Sequence, residues 1–298
     1  MWDTIEAGVA TEVTSTQVRE LSFDAGDGNV YLPQGGWTDG SYHYQAYKYV
    51  PNSADETQNQ IYIVKYSMEN ADESGTKTTT TYMQLRHAND VTYNSKEQCF
   101  VVCYASPEHY KLEKIVFNSN GTPTRTVINL RDTITNTTQA NIYSIDNNAT
   151  RDCYVVGMSN GYCLILNSNF ERISGPFKTF EFRVFECDTC GKEAAFNYQG
   201  VSCEDRYIYF IMENTCVSSV GDGLHPVKTD YDGKNRIAVY DWDGNFKHWI
   251  ILDNDRTDYE PENLTVLENA IYYTVWDGRR ATDSTYLFKI EFGPTYSK

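Results

Sequence analysis

The sequence has 298 residues and a net charge of −16, and aromatic residues make up 14% of it. The acidic balance argues against nucleic-acid binding, because no basic stripe is present to replace the counterions of a phosphate backbone. No apolar run reaches the roughly 18 residues of a membrane-spanning helix, so the sequence predicts no membrane insertion.

The chain begins with "MWDTIEAGVATEV", which lacks the basic and apolar regions of a signal peptide. We therefore expect no leader in the chain as given. This leaves the cellular location open, with an extracellular or cell-surface location favoured where a leader has been removed. The first strand-like segment is "STQVRELSF", residues 15–23.

Five later segments share one pattern: a polar junction, a short strand, a turn and a strongly apolar or aromatic strand. They begin at Gln34, His87, Ala140, Tyr198 and Glu260. Each is followed by a third strand-like run, at 60–67, 110–118, 161–167, 236–243 and 286–292. Four of these lead, through turns with Gly or Asn, to a fourth run at 78–85, 124–130, 175–180 and 247–252. Such turns favour antiparallel hairpins.

The fifth repeat has no fourth strand of its own, and residues 15–23 resemble the fourth strands of the other repeats. An N-terminal strand that completes the last sheet would close a ring and remove a sheet edge. The sequence therefore predicts an all-β fold in one domain, residues 1–298. That fold is a five-bladed β-propeller with four antiparallel strands per blade, closed by the N-terminal strand. A β-sandwich with coincidental similarity between segments is the alternative.

The polar junctions precede the innermost strands. In a propeller, the innermost strand of every blade begins at the same rim of the ring. Their side chains are therefore predicted to meet near the axis as a ligand-binding set: Gln34, Trp37, Asp39, His87, Asn89, Asp90, Asn141, Tyr143, Tyr198, Gln199, Glu260, Glu262 and Asn263. Amides and carboxylates bind hydroxyl pairs and aromatic faces stack on sugar rings, so the mixture favours a carbohydrate. Alternatively, such residues cap the backbone or join blades through hydrogen bonds.

Two further chemistries are open at this rim. Glycoside hydrolysis needs paired carboxylates, which Asp39, Asp90, Glu260 and Glu262 could supply. His87 with Asp90, Glu260 or Glu262 could form a calcium site in the central channel. The predicted binding function itself requires no cofactor. No nucleophile elbow or phosphate-binding loop is present.

Cysteines and one insertion complete the features of the sequence. We expect the eight cysteines to be unpaired or locally bridged thiols. A zinc clip built from Cys187, Cys190, Cys203 and Cys216 is a weaker alternative, because the second pair is widely spaced. Residues 219–235 form a Gly- and Asp-rich insertion in the fourth repeat, which we predict to overhang the disc and to offer a protein-binding surface.

The stretches "QGGWTDGSYHY" and "HANDVTYN" resemble the five-bladed propellers of bacterial surface proteins and phage receptor-binding proteins, which bind cell-wall polymers. The wider group includes tachylectin-like lectins and arabinan-degrading glycosidases. The resemblance implies a glycan or cell-wall polymer as the partner. The third junction, "ANIYSID", has no acid before its strand, which argues against hydrolysis. The leading hypothesis is non-catalytic glycan binding with Trp37, Tyr143 and Tyr198 as stacking surfaces, and the alternatives are a carbohydrate-active enzyme and a protein-binding scaffold.

Overall fold

The computed structural model describes residues 11–106, 108–134, 141–158, 161–179, 197–213, 235–252, 260–268, 270–277 and 284–291, with two-residue pieces at 185–186, 193–194, 215–216 and 225–226. Helix within these ranges is confined to a 3₁₀ turn, Glu56–Gln58, and a single turn α1, Arg131–Ile134. No helix in this part of the chain has the length and apolar character needed to cross a membrane.

Two strands at the start of the described chain, β1 (Thr11–Val13) and β2 (Thr16–Leu21), lie ahead of three four-stranded sheets. The first sheet contains β3 (Leu32–Thr38), β4 (Tyr42–Tyr49), β5 (Gln60–Ser67) and β6 (Thr76–Lys77). The second contains β7 (Asp90–Asn94), β8 (Cys99–Cys103), β9 (Lys111–Phe117) and β10 (Pro123–Asn129). The third contains β11 (Ile142–Asn148), β12 (Cys153–Met158), β13 (Tyr162–Asn167) and β14 (Arg172–Lys178).

Two more sheets follow, and two small hairpins accompany the fourth sheet, one before it and one within it. The first hairpin pairs β15 (Phe185–Glu186) with β16 (Glu193–Ala194). The fourth sheet contains β17 (Asn197–Cys203) and β18 (Tyr207–Glu213), then the hairpin β19 (Thr215–Cys216) and β20 (His225–Pro226), then β21 (Arg236–Asp241) and β22 (Phe246–Leu252). The fifth contains β23 (Glu260–Leu267), β24 (Ala270–Trp276) and β25 (Thr285–Glu291).

The first strands of the five sheets, β3, β7, β11, β17 and β23, form a closed ring, because each contacts the next and β23 contacts β3. The sheets are therefore the blades of a five-bladed propeller, as the sequence predicts. The second strands β8 and β12 are buried along their whole length. Their unbroken apolar sequences suit a strand that is covered on both faces.

The ring is closed by β2, which pairs antiparallel with β25 from Thr16 opposite Lys289 to Leu21 opposite Thr285. This confirms the prediction that residues 15–23 supply the missing fourth strand of the last blade. The strand preceding it, β1, was not predicted. It runs parallel to β22 and adds a fifth strand to the outer edge of blade 4. The N-terminal segment thus contacts two neighbouring blades in succession.

The fourth strand of blade 1 differs from the prediction, which placed it at residues 78–85. The structure places β6 at Thr76–Lys77, and beyond it Met83 forms only an isolated bridge to Ile61. The hydroxyl of Thr78 donates to the carbonyl of Ile63, and that of Thr79 donates to the carbonyl of Thr81. Threonine side chains thus bond to nearby backbone groups in a stretch where strand propensity alone predicts a ladder.

Five hydrophobic clusters lie in the seams between the blades, one cluster to each neighbouring pair. Blades 1 and 2 bury Ile63 against Val102, and blades 2 and 3 bury Val101 against Val156. The remaining seams are centred on Ile165 with Phe210, Ile211 with Tyr273, and Tyr66 with Leu287. Packing between blades therefore supplies the apolar core, while the axis itself is lined by polar side chains.

Asp90 and Asp146, both fully buried, connect innermost strands across the axis. The Asp90 carboxylate accepts hydrogen bonds from the backbone amides of Val91, Ile145 and Val201, which belong to blades 2, 3 and 4. Burial raises the pKa of both aspartates. These carboxylates are structural links between blades, held away from solvent.

Candidate functional site

The polar junctions meet at the end of the axis where the innermost strands begin, which we call the mouth. The side-chain amide of Asn89 donates to the backbone carbonyl of Tyr143 at 2.7 Å, which joins blades 2 and 3. The amide of Gln199 donates to the Glu260 carboxylate at 2.8 Å, which joins blades 4 and 5. Side chains from distant parts of the sequence are therefore brought together here.

Blade 1 contributes a lysine to the mouth. Strand β4 runs antiparallel to β3, so its last residues lie opposite the beginning of β3, and Lys48 pairs with Leu32. The Lys48 side chain is buried, with 7% of the residue exposed, and its ammonium lies beside the His87 ring, 2.9 Å from Nε2 and 3.4 Å from Nδ1.

Glu56, in the 3₁₀ turn between β4 and β5, lies on the other side of this imidazole. Its Oε2 atom is 3.6 Å from His87 Nδ1. Burial and the Lys48 charge lower the pKa of His87, and Glu56 opposes them. The His87 imidazole thus lies beside both a cation, Lys48, and an anion, Glu56.

We expect His87 to titrate well below the ordinary histidine value of about 6.5, and Lys48→Met to raise its pKa because a neighbouring positive charge is removed. NMR titration of the imidazole resonances measures both values. His43 is the internal control: it is fully buried, and burial lowers its pKa to about 4 without a contribution from Lys48. A wild-type His87 pKa near 6.5 would contradict the arrangement.

Three carboxylates act on the Lys48 ammonium. Burial lowers the pKa of Lys48, and the charges of Glu262, Glu56 and Glu260 act against that shift. Glu262 is 8% exposed and Glu260 is half-buried. The mouth therefore holds more anionic than cationic side chains among the residues described.

Tyr143 lies in the same electrostatic environment. Its pKa is raised by burial and by the negative charges of Glu260 and Glu56. The residue is half-buried, so part of its surface is open to solvent. Tyr143 is thus the predicted stacking aromatic that the structure places beside the carboxylates.

Trp37 and Asp39 lie away from the mouth, at the far end of β3. The Trp37 ring packs in the seam between blades 1 and 2, with its centroid 5.1 Å from that of Tyr93. Asp39 is an exposed turn residue whose Oδ1 accepts from the backbone amide of Tyr42 at 2.6 Å. A side chain at Gly40 would lie against Leu267, the last residue of β23, which fixes this turn at the end opposite Glu260.

The other predicted residues are distributed between the axis and the mouth. Asn263 is buried in the axis, and its amide donates to Gln45 Oε1 at 3.2 Å. Gln34 is buried and donates to the neighbouring carbonyl of Pro33. Asn141 is half-buried directly before β11. The backbone of Tyr198 lies in β17, opposite Met212, and its side chain is outside the described part of the structure.

Sequence reasoning missed Lys48 and Glu56, because it considered only the junctions before innermost strands. A signal for Lys48 was present: it is the one cationic residue at the end of the aromatic strand "YHYQAYKY", where a buried charge needs partners. Glu56 lies in an irregular connection, and nothing in its local sequence indicates that the connection folds towards His87.

The structure describes only some of the residues in the predicted metal and thiol sites. Among the residues described, no three His, Cys, Asp or Glu side chains are grouped to hold a metal ion. Five cysteines are buried free thiols: Cys99, Cys103, Cys153, Cys163 and Cys203. Cys187, Cys190 and the side chain of Cys216 lie outside the described residues, as does most of the 219–235 insertion. The zinc alternative and the protein-binding role of that insertion stay predictions.

Comparison with known proteins gives likeness at the level of structure. No family model matches the chain, and no curated protein matches it. An α-L-arabinofuranosidase from Podospora anserina, solved with cellotriose, is 10% identical, with a TM-score of 0.50 over 95% of this chain and 96% of the other. A GH62 α-L-arabinofuranosidase catalytic domain from Coprinopsis cinerea is 11% identical, with a TM-score of 0.49 over 94% and 96%.

The Cps50 (Swd1) β-propeller domain from Myceliophteria thermophila is 9% identical to the chain, with a TM-score of 0.39 over 92% of this chain and 99% of that one. At such identities the likeness to the Podospora enzyme concerns the fold alone. The chain therefore shares its fold with a carbohydrate-active enzyme over nearly its whole length, while its function rests on its own residues.

Proposed function

We propose that the protein binds a glycan or a related cell-surface polymer at the mouth without cleaving it. The observation that carries this proposal is the meeting of polar side chains of several chemical types from all five blades at one end of the axis: Lys48, His87, Asn89, Tyr143, Gln199 and Glu260. A site assembled from every blade is surrounded by the ring and fixed by its strands.

Sugars suit this set of groups because each hydroxyl can donate one hydrogen bond and accept others. Glu260 and Glu262 can accept from hydroxyls, and the Lys48 ammonium and the Gln199 amide can donate to them. The ring of Tyr143 offers a face that can cover the apolar side of a pyranose or furanose.

Removing one of these groups should weaken binding measurably. We expect Lys48→Met to reduce affinity at least about tenfold, since a hydrogen bond from a charged group contributes roughly 1.5 to 3 kcal/mol. Gln199→Ala should reduce affinity several-fold, since a hydrogen bond between neutral groups contributes roughly 0.5 to 1.5 kcal/mol. Isothermal calorimetry against oligosaccharides found on a glycan array measures the change. Cello-oligosaccharides are reasonable first probes, because the Podospora enzyme was solved with cellotriose.

Gln17→Ala is the matched control, since Gln17 is exposed on β2, the outer strand of blade 5. Thermal melting of each variant separates lost binding from lost folding. Absence of binding to every glycan tested, or binding that is unchanged in both mouth variants, would reject the proposal.

Glycoside hydrolysis is the second candidate, and the carboxylates around Lys48 favour it. The pairs available are those among Glu56, Glu260 and Glu262, because Asp39 lies at the far end and the Asp90 carboxylate is buried by backbone amides. Release of reducing ends from a bound oligosaccharide, abolished by Glu260→Gln or Glu262→Gln, would establish hydrolysis in place of binding alone. Binding with no product over long incubation would support the first proposal.

A further inference from the structure

We infer that Ala88 is a positioning residue, whose left-handed backbone fixes the His87 imidazole in the mouth before any glycan binds. This inference rests on the proposed function and adds to it a determinant of affinity that does not itself touch the ligand. It is drawn from the backbone on both sides of His87 and from the contacts that hold that backbone in place.

The two residues that flank His87 both have left-handed backbones. The φ angle is 60° at Arg86 and 53° at Ala88, and neither residue is glycine. Residues other than glycine adopt this conformation at an energetic cost, and they keep it only where the surrounding structure imposes it. Such backbone is concentrated at functional sites, and here it lies on either side of a side chain of the mouth.

Hydrogen bonds to three other parts of the chain hold this backbone. The His87 amide donates to the carbonyl of Tyr104 at 3.1 Å, and the Ala88 carbonyl accepts from the amide of Gly35 at 3.3 Å. The carbonyl that precedes His87 accepts from the side-chain amide of Asn59 at 3.1 Å, and Asn59 is fully buried. The backbone around the imidazole is therefore fixed by blades 1 and 2 together.

The side chains of the flanking residues are also held. Ala88 is fully buried among the apolar residues of the seam between blades 1 and 2. The Nε atom of Arg86 lies 2.6 Å from Glu108 Oε2, and a terminal nitrogen of Arg86 donates to the carbonyl of Thr57 at 3.2 Å. The guanidinium lies over the ring of Tyr104, 5.6 Å from its centroid. Neither flank can rotate without breaking several of these contacts.

The imidazole between these flanks is ordered but still accessible. Lys48 Nζ lies 2.9 Å from its Nε2, and Glu56 Oε2 lies 3.6 Å from its Nδ1. The His87 side chain is nevertheless 29% exposed, so it can contact a ligand. Binding to a ring that is already ordered loses less conformational entropy, which is the general advantage of a preorganised site.

Ala88→Gly tests the inference, because glycine adopts left-handed and right-handed backbones with similar ease. The substitution removes one methyl group and no polar atom. We expect glycan affinity, measured by isothermal calorimetry, to fall about three- to tenfold, with the loss in the entropy of binding. The melting temperature should change by only a few degrees, since the relieved backbone offsets the lost methyl contact.

Gln98→Gly is the matched control. Gln98 has the same φ angle of 53°, but it is exposed in the turn between β7 and β8, at the end of blade 2 opposite the mouth. This variant should bind glycan as the wild type does, because its backbone is relieved at a place that holds no side chain of the mouth.

NMR relaxation of the His87 ring gives a readout that needs no glycan. The order parameter of the imidazole C–H groups should be high in the wild type and in Gln98→Gly, and it should fall in Ala88→Gly because the ring gains freedom. A change in folding stability alone would leave this order parameter of the native state unchanged.

The outcomes separate this inference from the proposed function. Wild-type affinity in Ala88→Gly, or a ring as ordered as in the wild type, would overturn the role of Ala88 while glycan binding stands. An equal loss of affinity in Gln98→Gly, or a mobile ring in the wild type, would also overturn it. A wild type that binds no glycan rejects the proposed function, and the order parameters then decide alone whether Ala88 positions the ring.

Discussion

Asp146→Ala is expected to lower the free energy of unfolding by about 3 to 5 kcal/mol, among the largest single-residue effects in the protein. The fully buried Asp146 carboxylate accepts hydrogen bonds from the hydroxyl of Thr92 at 2.6 Å and from that of Ser202 at 2.9 Å. It also accepts from the backbone amides of Asn147 and Cys203, each at 2.8 Å. These donors belong to blades 2, 3 and 4, so alanine leaves buried donors without partners in three blades at once.

Chemical denaturation of the wild type and of the variant measures this loss. Asp146→Asn keeps the shape and one oxygen acceptor, so it should cost less than alanine. Lys96→Ala is the surface control, because Lys96 pairs with Asp152 at 2.9 Å where both side chains are about half-exposed, and such pairs contribute roughly 1 kcal/mol or less. An Asp146→Ala protein as stable as the Lys96→Ala protein would show that the axis does not depend on this carboxylate.

Removal of the closing strand is expected to have the second large effect. A protein that starts at residue 22 lacks β2, which pairs along the length of β25 and buries Leu21 in the seam between blades 5 and 1. Arg19 on the same strand is 5% exposed and donates to the carbonyls of Asn70 and Glu73 in blade 1. Loss of this ladder and of one buried leucine amounts to roughly 5 kcal/mol or more, comparable with the whole stability of many domains.

A graded truncation series makes this expectation specific. Starting the chain at residue 11 keeps both strands, starting at 15 removes only β1, and starting at 22 removes β2 as well. We expect the melting temperature to change little in the first, to fall by a few degrees in the second and to lose its cooperative transition in the third. A cooperative transition at the wild-type temperature in the shortest protein would contradict closure by β2.

The architecture was predictable because it follows from pattern. Strand β5 was predicted at 60–67 and is found at Gln60–Ser67, since its short apolar run is bounded by turn residues on both sides. The prediction that residues 15–23 close the ring followed from counting strands, because the fifth repeat lacks the fourth strand that the other repeats have. By contrast, β1 has only three residues, and nothing in its local sequence indicates the parallel pairing with β22.

The site was predictable only where it depends on the repeat. His87, Asn89, Tyr143, Gln199 and Glu260 lie at repeat positions and are brought together as the pattern predicts. Trp37 and Asp39 share a junction motif with these residues, but they lie several residues along the strand, and a strand advances about 3.3 Å per residue. That distance places them in a seam and in a turn at the other end of the axis. Sequence spacing alone does not show where along a strand the mouth begins.

The pairing of β2 with β25 has a consequence for biosynthesis. Thr16 must find Lys289, so β2 cannot pair until β25, far along the chain, has also been synthesised. Until then, nascent blade 5 has no partner for its outer edge, and long-range contacts of this kind form slowly. Folding during synthesis should therefore proceed blade by blade and finish with the late docking of β2.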